Sequence, residues 1–165
     1  MVNERGDSIV ADQDMTGEQL FLRYAFPCAE GRLIRGKITE QQMKQLKVLI
    51  ENDVEPKRQF LRYCFPHAYR RLREFAQKNN IDHKRWEYDT ISNFWRYHHE
   101  HQGDCRVYHG MIVSKKEKIV TVMNSDPPYM PIIAINYYDL PACTGDTAYV
   151  HLRMVTEIEK NTALS

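Results

Sequence analysis

The residues best suited to chemistry in this chain are its four cysteines and seven histidines. Cys28, Cys64, Cys105 and Cys143 are widely spaced, with no CxxC pair among them. That spacing points to a reducing cytoplasm, with each thiol judged separately, rather than to a disulfide framework. One stretch concentrates metal donors: "HHEH", His98, His99, Glu100 and His101, followed shortly by Cys105. Imidazole and thiolate are the usual zinc ligands, and His98 and His101 fall at i and i+3 on a helix. Against zinc, His98 also continues an apolar helical stripe, where a hydrogen-bonded core histidine is the commoner outcome, and no second cysteine is close enough to complete a finger. Cys105 is two-sided as well. In "DCRVYHGMIV" it opens a β-like run, either as packing material or as a thiolate held out for a ligand. His109, inside that run, is a candidate additional donor.

These residues need a scaffold, and composition supplies one. The chain has 165 residues, 42% of them apolar, enough for one compact domain or two small ones. Twenty-three Lys and Arg against 22 Asp and Glu leave a net charge of +1, so bulk electrostatics do not make it a polyanion binder. No run approaches the ~18 apolar residues that a membrane helix needs. Residues 1–15 are polar and acidic, read as a flexible N-terminus and not as a signal peptide. There is no nucleophile elbow, phosphate loop or HExxH, which argues against an enzyme of those classes.

The hydrophobic period changes along the chain. "TEQQMKQLKVLIEND" starts with Thr39 as an N-cap and Gln42 in the capping-box place, and Met43, Leu46, Leu49 and Ile50 line one face. A further helix is expected from about Lys84 to His101, with Ile91, Phe94, Trp95 and His98 as its stripe. After Gly103 the period becomes two. Cys105, Val107, His109, Met111 and Val113 alternate with Arg106, Tyr108, Gly110 and Ile112. "KIVTVM", "PIIAINYY" and "TAYVHLRMVTEI" are further β-rich runs, joined by "KKEK", "NSDPPYMP" and "LPACTGD". The pattern predicts an α+β protein: a helical domain over 16–103, then a small closed β-barrel over 104–160.

The helical half repeats itself. "FLRYAFPCA" (21–29) and "FLRYCFPHA" (60–68) agree at seven of nine positions. Each copy is expected to end a helix ahead of its proline and to bury Phe21, Tyr24, Phe26 or Phe60, Tyr63, Phe65. The alternative is a pseudo-symmetric binding surface built on the paired Arg and Tyr. Cys28 and His67 share a repeat position, which is too little for a metal site. From Lys57 to Arg73 run six cations and no acid, with aromatics between them. Such a run is a solvated face, a phosphate-contacting one, or a dock for an acidic protein through Arg70, Arg71 and Arg73.

Two motifs in the second half carry a resemblance. Cys105 and Gly110 have the spacing of Cys-x-x-x-Pro-Gly, and "GDTAYVH" places Gly145, Asp146, Val150 and His151 as Gly-Asp-x-x-x-Val-His. Over residues 105–158 the sequence resembles the HypC/HupF family of [NiFe]-hydrogenase assembly chaperones. The resemblance implies a compact barrel of OB type and a carrier rather than an enzyme. It implies that Cys105 is a thiolate ligand, with His151 as second ligand or orienting group, for an iron carrying cyanide and carbon monoxide. It implies as partners a HypD-like maturation protein and the immature hydrogenase large subunit, in the cytoplasm and away from membranes. His109 stands where the family has proline, and Cys105 is internal where the family's cysteine follows the initiator methionine. The helical half lies outside the family's pattern. The alternative is an OB-like nucleic-acid-binding module with a basic aromatic helical face.

Overall fold

The structure, a computed structural model, describes residues 15–100 and 105–162. The expected flexible N-terminus, His101 and the expected boundary at Gly103 fall, all but Met15, outside the described residues. The chain divides into two compact units, Met1–His98 and His99–Ser165, the first helical and the second a closed barrel. No helix among the described residues is long and apolar enough to cross a membrane.

The helical unit begins with α1 (Gly17–Ala25), opened by a capping box. Thr16 Oγ1 accepts from the Gln19 N–H at 3.1 Å and Gln19 Oε1 accepts from the Thr16 N–H at 2.8 Å. Gly17 is required by contact: a β-carbon there would sit 1.8 Å from the Trp86 carbonyl oxygen. A 3-10 turn (Phe26–Cys28) leads to α2 (Ala29–Ile34), then α3 (Glu40–Glu51) with the Thr39–Gln42 box as expected. Next come α4 (Arg58–Cys64), α5 (Pro66–Lys78), a 3-10 turn (Asp82–Lys84) and α6 (Tyr88–Tyr97). The core is aromatic. Trp95 stacks on Tyr24 at 5.5 Å and 7°, and meets Phe21 edge-on at 5.3 Å.

Two expectations are corrected here. The last helix is shorter than Lys84–His101. Ile91, Phe94 and Trp95 are buried as predicted, but His98 caps the helix at φ −127°, exposed, with its ring 4.5 Å from that of Phe75. The stripe therefore stops at Trp95.

The repeat is the second correction. Its copies share only Leu22/Leu61, Ala25/Cys64, Phe26/Phe65 and Ala29/Ala68 as buried pairs. Phe21 and Tyr24 are fully buried because α6 packs across α1. Their counterparts differ: Phe60 is half-buried beside Val48 and Leu49, and Tyr63 is 63% exposed. The prolines also act differently. Phe65 leaves the helical region (φ −134°, ψ 61°) so that Pro66 can start α5. Phe26 stays helical (φ −56°, ψ −37°) and Pro27 continues into the 3-10 turn.

The barrel unit has five strands: β1 (Tyr108–Lys116), β2 (Ile119–Asn124), β3 (Pro131–Ile135), β4 (Thr147–His151) and β5 (Met154–Glu159). Their order is β1-β2-β3-β5-β4, closed by antiparallel β1/β4, with β3 and β5 parallel. This is the small closed barrel expected from the period-two pattern, and its strand order is OB-like, as the resemblance implies. Ile112, Val120, Val122, Ala134, Val150 and Val155 fill it. Gly110 lies between β2 and β4, and a β-carbon there would meet the Met123 carbonyl oxygen at 1.8 Å. The run "TAYVHLRMVTEI" is a hairpin rather than one strand. Leu152 (φ 47°) and Arg153 (φ 65°) make a two-residue turn with both φ positive, the geometry that matches strand twist.

Candidate functional site on the barrel

The candidate site is built at one end of the β1/β4 pair. Tyr108 pairs with Val150. Continuing that antiparallel register carries the segment before β1 alongside the last residue of β4. Val150 points into the barrel core and the next residue, His151, points to the other face of the strand. Cys105 arrives beside it: the Cys105 Sγ and a His151 ring nitrogen lie within 4.8 Å of one another. A thiolate sulfur and an imidazole nitrogen this close are donors that one ion could share. The two residues differ in access. Cys105 is exposed, whereas His151 is fully buried.

His99, also buried, faces the His151 ring edge-on at 5.7 Å. Sequence reasoning grouped it with His98 and His101. The fold separates it from His98, which rests on Phe75 in the helical unit. His109 does not join the pair: its ring stacks on Tyr149 at 5.6 Å and 22°.

The Gly145-Asp146 part of the second motif is structural. Gly145 adopts φ 96° in the turn before β4, a conformation that favours glycine. The Asp146 carboxylate accepts from the Cys143 N–H at 3.0 Å, the Asn161 N–H at 3.0 Å and Lys160 Nζ at 2.9 Å. Burial pushes this carboxyl up, but the Lys160 hydrogen bond, the two backbone donors and the Lys160 charge together hold it below its ordinary range. Asp146 thus clamps the turn that launches β4, and so fixes where His151 ends.

The other cysteines have different surroundings. Cys64 is fully buried, and burial pushes its thiol up to about 11, offset only in part by the Arg32 charge. Such a thiol is an inert packing group. Cys143 is exposed, with Lys160 Nζ 3.8 Å from its sulfur. Cys28 is half-buried in the helical unit.

The basic run is partly spent on internal contacts. Arg58 pairs with Glu18 at 3.0 Å and lies over the Trp86 ring at 5.3 Å. Arg71 is half-buried and donates to the His98 carbonyl at 3.3 Å. Arg70 and Arg73 are exposed, Arg70 lying 3.2 Å from His67 Nδ1. No family model, curated protein or solved structure matches the chain.

Sequence reasoning missed the His99–His151 contact, because nothing local in "HHEH" distinguishes His99 from its neighbours. It also missed that the outward face of the β1–β2–β3 sheet is mostly apolar. A signal for that was available, since Met111 and Val113 are apolar in the phase opposite to Ile112.

Proposed function

We propose that the protein is a HypC-like metallocluster-assembly chaperone. It carries an iron unit with cyanide and carbon monoxide ligands, or docks on the immature [NiFe]-hydrogenase large subunit, in the cytoplasm. It is a carrier rather than an enzyme. The observation supporting the reading is the closeness of Cys105 and His151 on an OB-like barrel.

The chemistry follows from the difference between the two donors. A thiolate is a soft, strong ligand for low-spin iron, and neutral imidazole is a suitable partner. Binding displaces the thiol proton, so loading weakens as pH falls. His151, buried and held by β4, fixes direction. Cys105, exposed, is the end from which cargo leaves. Two protein ligands hold the unit without trapping it, as transfer requires. Under this reading Arg70 and Arg73 meet the acidic surface of a HypD-like protein or the large subunit, where exposed cations act on encounter rate more than on stability.

The test is transfer. Purified protein co-expressed with a HypD-like partner is mixed with iron-free large-subunit precursor, and iron in the precursor is counted. Wild type delivers iron and Cys105→Ala does not. Arg70→Ser/Arg73→Ser delivers it more slowly. Equal delivery by wild type and Cys105→Ala refutes the reading.

One observation favours the nucleic-acid alternative: exposed Tyr63 stands beside exposed Arg62 on α4, a stacking group with a neighbouring cation. Salt-steep binding of single-stranded RNA or DNA, lost in Arg62→Ser/Tyr63→Ala, is its signature.

A further inference from the structure

Antiparallel sheets with one face on a core normally turn polar residues to water on the other. The β1–β2–β3 face does not. Its inward residues Ile112, Val120, Val122 and Ala134 are fully buried. Most of its outward residues are apolar as well, with Ser114 and Thr121 in the middle row and Lys116 at one end. The register sets Met111 beside Met123 in one row, Ile133 beside Thr121 in the next, and Ile119 beside Ile135 in the third. Val113 bulges out of register next to them. Ile133 is 60% exposed and Met111 50%, with Ile119 and Ile135 close to that. Exposed, mainly apolar surface of this kind marks an interaction site.

One end of the face is charged. Lys116 pairs with Ile119. The Lys118 carbonyl accepts from the Asn136 N–H at 2.7 Å and the Arg153 carbonyl from the Ile135 N–H at 2.8 Å. All three cations are exposed. Among the described residues none of them forms an ion pair, and the only acid in that turn is Glu117.

We infer that this face docks another protein through an amphipathic helical segment, apolar along its length and acidic at one end. The apolar rows take the helix, as a sheet takes a covering helix. Lys116, Lys118 and Arg153 take the carboxylates, which fixes its direction. Nucleic acid fits poorly: none of the six outward apolar residues is an aromatic on which a base can stack, and the cations sit at one end instead of along a track. A membrane interface favours Trp and Tyr, which the three rows lack, whereas Met is enriched at protein interfaces. A second copy brings no surplus of carboxylates to meet the three cations. Neither Cys105 nor His151 is among the residues that make the face, so the inference does not depend on the metal reading.

The test uses the full chain and two synthetic helical peptides with the same leucine face, one ending in glutamates and the other in lysines. Methyl NMR of Met111, Met123, Ile133 and Ile135 reports the site. The acidic peptide is expected to shift these methyls and to bind at least tenfold tighter than the basic one. Ile133→Ser/Ile135→Ser should cost a further tenfold or more, with an unchanged melting curve because both side chains are exposed. Lys116→Glu/Lys118→Glu should remove the preference for the acidic peptide. Equal binding of both peptides overturns the inference, as does binding of neither. Concentration-dependent dimerisation lost in the isoleucine variant, or co-sedimentation with anionic phospholipid vesicles in preference to peptide, overturns it as well.

Discussion

His151 is sealed from solvent, while Cys105, whose sulfur lies within 4.8 Å of its ring, is exposed. A buried imidazole beside a reachable thiol is an asymmetric pair. One member is fixed by a strand and the other stands on the segment leading into the barrel. The position of the fixed member depends on the turn before β4, and therefore on Asp146.

Asp146 should make stability depend on acid. Its folded-state pKa lies below the ordinary 3.8, so its contribution is present above that value and is lost as pH falls through the folded pKa. Asp146→Asn should cost about 1.5–3 kcal/mol at pH 7, the range for bonds to a charged group. Urea titrations of both proteins from pH 7 to pH 3 check this. The gap between them should narrow toward the acid end, and a gap that stays constant with pH would assign the loss to shape instead of charge.

The two copies of the repeat should respond unequally. Phe21→Ala removes a fully buried ring that packs on Trp95 and should cost about 3–5 kcal/mol. Tyr63→Ala, at an exposed position, should change stability by no more than about 0.5 kcal/mol. Phe60→Ala should fall between them. Thermal melts of the three variants are sufficient, and equal losses at Phe21 and Tyr63 would restore the symmetric repeat.

Gly110→Ala should be severe. Its β-carbon meets backbone, the Met123 carbonyl oxygen, so no side chain can rotate away. The cost should exceed the ~1–3 kcal/mol of ordinary overpacking. Gly36→Ala, at φ 68° with open space around it, should lose only the ~1–2 kcal/mol of left-handed backbone. Denaturant midpoints compare the two directly.

Much of this fold is legible in the sequence because it is written locally. Thr39 and Gln42 cap the same helix that their spacing predicts. The change of period after Gly103 separates helices from strands. Leu152 and Arg153 were not legible as a turn, since neither residue type favours positive φ and no Asn-Gly or Asp-Gly marks the hairpin. The inequality of Phe21 and Phe60 is hidden for another reason: identical words do not dictate identical environments, and packing of Phe21 against α6 distinguishes them. Cys105 and His151 could be paired from the motif resemblance, but no rule of spacing joins them. The β1/β4 register brings them together, and that is a tertiary fact.

The central claim is that Cys105 is the working ligand, with His151 orienting the cargo. Infrared spectra of protein purified after co-expression with a HypD-like partner test it most directly. Wild type should show cyanide and carbonyl stretching bands, and Cys143→Ala should keep them. Cys105→Ala should lose them while melting within about 1 kcal/mol of wild type, since an exposed thiol contributes little to packing. His151→Ala should weaken and shift them. Bands of equal intensity in wild type and Cys105→Ala would contradict the account.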